Sequence, residues 1–69
     1  MDRTTVSSSN IRSIGYDHAS SVLEIEFLKG GVYQYAGVQQ AEFDGLMSAA
    51  SKGTYFNANI KRRYAEAKL

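Results

Sequence analysis

The chain has 69 residues, with eight Lys and Arg against seven Asp and Glu, one histidine and no cysteine. That length holds one small domain, and it rules out disulfides and thiolate metal sites as stabilisers. No apolar run is long enough to span a bilayer, and the opening MDRTTVSSSN lacks the core of a signal peptide. A cytoplasmic protein is expected, held together by packing its five tyrosines and three phenylalanines.

Residues 1–9 are rich in Ser and Thr and read as a flexible tail. Residues 10–69 form the single domain. Its first strand is Ile11–Asp17, with Ile14 and Tyr16 on one face. After the polar turn HASS, Val22–Leu28 alternates cleanly. Leu23, Ile25 and Phe27 take one face, and Glu24 and Glu26 the other. Lys29-Gly30-Gly31 turns the chain into a third strand, VYQYA, completing an antiparallel meander.

The parity of that hairpin decides where Tyr33 and Tyr35 point, because a one-residue slip exchanges the faces. A three-residue loop, Leu28 to Gly30, with Gly30 in the left-handed position pairs Ile25 with Tyr33 and Leu23 with Tyr35. Both rings then join the core face. A two-residue Lys29-Gly30 turn instead places Gln34 against Ile25 and leaves the tyrosines outside, as a stacking platform. The first register buries fewer unpartnered polar groups and is favoured.

Helical spacing begins after Gly37. Gln39 and Glu42 form a weak capping box, and Phe43, Leu46, Met47 and Ala50 make one apolar stripe. Gly53 breaks this helix from a second, for which Ser51 is a candidate cap. The second helix starts near Thr54, with Phe56, Ile60 and Tyr64 on one face. Good helix formers in AEAKL would let it reach Ala67. The fold class is α+β: a three-stranded meander followed by two C-terminal helices on one face, β-β-β-α-α.

Several elements together resemble the KTSC domain family. They are Ser9-Asn10-Ile11, IGYD, LEIEF, Gly30, YQY, Val38, the run ASKGTYFN, and Ile60-Lys61 followed by Tyr64. Tyr33 and Tyr35 are its tyrosine-any-tyrosine motif. The family is named for its occurrence at the C-terminus of some lysyl-tRNA synthetases, and it also occurs as small bacterial and phage proteins. The resemblance implies no established biochemical activity, and RNA binding is what the synthetase context of the family suggests. Members often carry proline where Ala65 follows Tyr64, so the tail here is open to a helical or an extended form.

Charge points to the same end of the chain. Up to Asp44, six carboxylates face three cations. From Gly45 onward, Lys52, Lys61, Arg62, Arg63 and Lys68 face only Glu66. The candidate nucleic-acid site is therefore Lys52, Gly53, Tyr55, Lys61, Arg62, Arg63 and Tyr64. A helix N-terminus beside Lys52-Gly53 would accept a phosphate. The later cations would hold the backbone while the tyrosines stack on bases. His18, in a turn with only Asp17 beside it, makes neither a metal site nor a nucleophile–base pair. The expectation is a non-catalytic binding module without cofactor or metal, for RNA or single-stranded nucleic acid. The alternative is a protein–protein adaptor using the open sheet face or an edge strand.

Overall fold

The structure is a computed structural model that describes all of residues 1–69. It contains β1 (Arg3–Thr5), β2 (Ile11–Asp17), β3 (Val22–Phe27), β4 (Gly31–Ala36), α1 (Gln40–Ser48), α2 (Lys52–Asn59) and β5 (Ala65–Lys68). The strands form one antiparallel sheet in the order β1-β2-β3-β4-β5. The expected meander is its centre, and a strand is added at each edge.

The hairpin adopts the core-facing register, with Leu23 opposite Tyr35, Ile25 opposite Tyr33 and Phe27 opposite Gly31. The left-handed residue is Gly31 (φ 84°), one position later than expected. β2 reaches its own register through a bulge between Ile11 and Ser13. The extra residue lets Ile11 and Ile14, an odd number of residues apart, both point inward at 1% exposure. Leu23, Ile25 and Tyr35 join them from the sheet, and Val38, Leu46, Phe56 and Ile60 close over them. The Tyr16 ring stacks on Phe43 of α1 at 4.8 Å, and Tyr35 meets Phe56 of α2 edge-on at 5.4 Å. Both helices thus cover the same sheet face.

The other face is polar and tightly interlinked. Glu24, at its centre, is only 5% exposed. It accepts hydrogen bonds from Arg3 of β1 and from Gln34 Nε2 of β4 (2.9 Å). Arg3 Nε also donates to Ser13 Oγ at 2.9 Å, and Ser13 donates to Glu26 at 2.9 Å. Burial opposes ionisation of Glu24, but the Gln34 and Arg3 hydrogen bonds and the Arg3 charge outweigh it, so its carboxyl lies below the usual range.

This network corrects the reading of residues 1–9 as a flexible tail. Arg3–Thr5 is paired with Ser13–Gly15 and fastened by its arginine to the buried carboxylate. The second correction is at the other end. α2 stops at Asn59 rather than running toward Ala67, and Arg62 turns the chain in a left-handed conformation (φ 72°). Ala65–Lys68 then returns beside β4 as an extended strand. Its helix-forming composition yields to the open edge of β4, whose backbone groups it satisfies.

Candidate functional site

Ser51 caps α2 as its residue type suggests, accepting from the Thr54 N–H at 3.3 Å. Gln39, by contrast, places no side-chain cap on α1. Gly53 is buried against Asn10, and a Cβ there would stand 2.4 Å from Asn10 Oδ1. Lys52 Nζ donates to the Ala49 carbonyl at 3.2 Å, at the end of α1. Lys52 and Gly53 therefore join the two helices to each other and to the start of β2.

Tyr55 and Tyr64 are committed as well. Their hydroxyls donate to the two oxygens of one carboxylate, Glu42 of α1, at 2.5 and 3.0 Å. The Glu42 hydrogen bond raises the Tyr55 pKa, and burial followed by the same bond raises that of Tyr64. The Tyr55 ring lies over Gly45, where a Cβ would come within 2.3 Å of the hydroxyl oxygen. That contact explains a glycine inside α1, where it otherwise costs about 1 kcal/mol relative to alanine. Both tyrosines clamp α1 to the segment that follows.

Three of the seven candidate residues remain free: Lys61, Arg62 and Arg63. Contrary to the expectation of a helix running through them, they occupy the turn beyond α2. All three are exposed, and no carboxylate lies within ion-pair distance of them.

Lys61 also lines a cleft of about 380 Å³ between α2, the β3–β4 hairpin and β5. Phe27, Tyr33, Tyr35 and Phe56 supply its aromatic wall. Phe27 meets Tyr33 edge-to-face at 5.7 Å and Phe56 at 5.4 Å. Asn10, Asn57 and Glu66 add polar groups at the rim, and Gly30 completes the lining. Tyr35 is 1% exposed. Its hydroxyl donates to Glu66 Oε2 at 2.8 Å, and burial together with that bond pushes its pKa well above the ordinary tyrosine value. Tyr33 is half-buried, with Lys68 Nζ 5.9 Å from its ring centroid.

The two tyrosines of the motif thus face the helices, and their edges line a cleft. Sequence reasoning missed Asn10, Asn57, Phe27 and Glu66 as parts of one site. Asn10, Asn57 and Phe27 all lie in the runs that carry the family resemblance. The cleft was invisible because its walls come from four separate stretches of chain.

The remaining recesses offer less chemistry. One, bounded by Gly37, Gln39, Ala41 and Tyr64, has Glu42 as its only charged group, and Glu42 already holds two tyrosines. No cluster of three or more His, Asp or Glu side chains is placed to hold a metal, and no helix is long and apolar enough to cross a membrane.

Known proteins are similar to this chain in sequence and in fold. A crystal structure of a KTSC domain protein from Yersinia pestis is 46% identical, with a TM-score of 0.98 over 99% of this chain and 96% of that one. An uncharacterised protein of Stutzerimonas stutzeri is 38% identical over 64 residues, 93% of this chain and 90% of its own. A protein of Nostoc punctiforme named lysine–tRNA ligase is 38% identical over 54 residues, which is 78% of this chain and 10% of that protein. The KTSC domain pattern itself matches residues 7–64. By that match and by these likenesses in sequence and fold, the chain belongs to the KTSC domain family.

Proposed function

We propose that this domain is a non-catalytic module that binds single-stranded nucleic acid, RNA in particular. The backbone would lie on the Lys61–Arg63 turn, with a base entering the adjacent aromatic cleft. One observation carries the reading. Three consecutive cations, all exposed and unpaired, sit on a turn in which Arg62 holds a left-handed backbone, directly beside a cleft walled by Phe27, Tyr33 and Phe56. A non-glycine residue in that conformation costs about 1–2 kcal/mol. Such strain often belongs to a functional site. Cations beside stacking surfaces suit a flexible strand. The relative named lysine–tRNA ligase adds a link to RNA.

Catalysis finds no support among the side chains. His18 is exposed in the β2–β3 turn with its ring against Tyr16 at 5.0 Å. Glu24, Glu26 and Glu42 are engaged in the hydrogen bonds described above.

The adaptor reading has one observation in its favour. β5 is an exposed edge strand, whereas the centre of the other sheet face is occupied by the Arg3–Glu24 network. Salt separates the two readings, since phosphate contacts weaken steeply as salt rises. The test is an NMR titration of labelled protein with short RNA and DNA oligomers at two salt concentrations, with a polysulfonate control. Shifts at Lys61, Arg62 and Arg63 that the control does not reproduce support the proposal. Their absence at low salt refutes it.

A further inference from the structure

We propose that the cleft selects guanine: one unstacked guanine base sits in it, its paired N–H groups on Glu66 and its carbonyl on Lys61. The inference rests on the nucleic-acid reading above and gives the cleft its specificity.

Glu66 reaches the cleft from β5, opposite Tyr35 in the ladder. The Tyr35 hydroxyl holds its Oε2 at 2.8 Å from the core side, and no cation pairs with the carboxylate. Lys61 lines the same cleft from beyond α2 and is likewise unpaired. An acceptor and a cationic donor that share one small cleft without neutralising each other call for a ligand that complements both.

A phosphate does not meet that demand, because Glu66 would repel it. Arg62 and Arg63, outside the cleft, are better placed for the backbone. A flat heterocycle fits the aromatic wall, of which Phe27 and Tyr33 are half-buried. Among the four bases, the Watson–Crick edge of guanine alone has two adjacent N–H donors next to a carbonyl. Uracil offers one N–H flanked by carbonyls that repel a carboxylate. Adenine and cytosine set an amino group beside a ring-nitrogen lone pair, which repels the second carboxylate oxygen. The side-chain amides of Asn10 and Asn57 lie on the same rim and can hydrogen-bond the remaining base edge.

The test uses fluorescence anisotropy with labelled hexaribonucleotides of uridine carrying guanosine, inosine, adenosine, cytidine or uridine at one central position, at two salt concentrations. The guanosine oligomer is expected to bind about tenfold more tightly than the all-uridine one, toward the low end of what a bidentate base contact discriminates. Inosine, which lacks the amino group, should lose most of that preference. Glu66→Gln can still accept the Tyr35 hydroxyl, so the fold is kept. It should bring guanosine and uridine oligomers to within about twofold while leaving the salt slope unchanged. Equal, salt-dependent affinity for all five oligomers overturns the guanine seat but leaves the nucleic-acid reading standing. Failure of every oligomer to bind at low salt overturns both.

Discussion

Replacing Arg3 by alanine tests whether the N-terminal strand is part of the fold. The substitution leaves the Glu24 carboxylate, 7% exposed as a side chain, with Gln34 as its remaining partner. Breaking a fully buried pair costs about 3–5 kcal/mol, and an exposed pair about 0–1 kcal/mol. The Arg3 side chain is 31% exposed, so the expected loss is intermediate, about 2 kcal/mol. A chain of this size has a total stability of about 3–10 kcal/mol, so the effect is large. At about 4–8 °C per kcal/mol for a small domain, Tm should fall by about 8–16 °C. Because Glu24 titrates below its ordinary value when folded, its contribution is full above the unfolded pKa, about 4.3. It fades as pH drops through the lower folded value. The wild-type advantage over Arg3→Ala should therefore shrink as pH falls below the unfolded pKa and on through the lower folded one. Urea denaturation at neutral and acid pH, with Glu24→Gln completing a double-mutant cycle, measures the coupling directly. A neutral-pH loss below about 0.5 kcal/mol, typical of an ordinary surface change, would refute the reasoning. So would an equal loss at both pH values.

Three further substitutions probe the site and its surroundings. Arg62→Gly relieves a left-handed arginine, so urea denaturation should show stability held or raised by up to about 1 kcal/mol. The same variant should flatten the salt dependence of RNA binding by about 0.7 of a log–log unit, one phosphate contact on a single strand. Gly53→Ala should fail to give the usual helical gain of about 1 kcal/mol, because the new Cβ meets Asn10. In an Asn10→Ala background the gain should reappear, as thermal melts of the four proteins would show. Tyr35→Phe removes the hydroxyl from Glu66 and should cost about 1–2 kcal/mol. Since the folded Tyr35 pKa is raised, its stabilisation is complete below about pH 10 and is lost as pH climbs further. The wild-type advantage over Phe should therefore diminish in alkali, which equilibrium unfolding across that range would detect.

Legibility in the sequence followed the range of the interaction. The β3–β4 register could be read because it depends on adjacent residues: the wrong turn length would have put Gln34 against Ile25. Ser51 was recognisable as a cap for the same reason. β1 was missed because its strand is three residues long and its anchor, Glu24, lies 21 positions away. Glu24 and Glu26 alternate with apolar residues as a solvated face would, and nothing local shows that an arginine from the N-terminus covers one of them. β5 was missed because Ala, Glu, Lys and Leu favour helices, and only the free edge of β4 reverses that preference. Of the proposed binding residues, the consecutive cations were legible as a cluster. The engagements of Lys52, Gly53, Tyr55 and Tyr64 depend on partners three to 43 positions distant.

The position of β5 bears on how the domain can diversify. The family match ends at residue 64, and Glu66 stands two residues beyond it. The motif tyrosines, Asn10, Phe56 and Lys61 all fall inside the matched span. A relative could therefore keep the aromatic floor of the cleft while varying position 66, provided the new residue still accepts the hydrogen bond of the buried Tyr35 hydroxyl. If the cleft binds as proposed, its recognition can vary at the sheet edge, within the limit that position 66 must keep an acceptor for Tyr35.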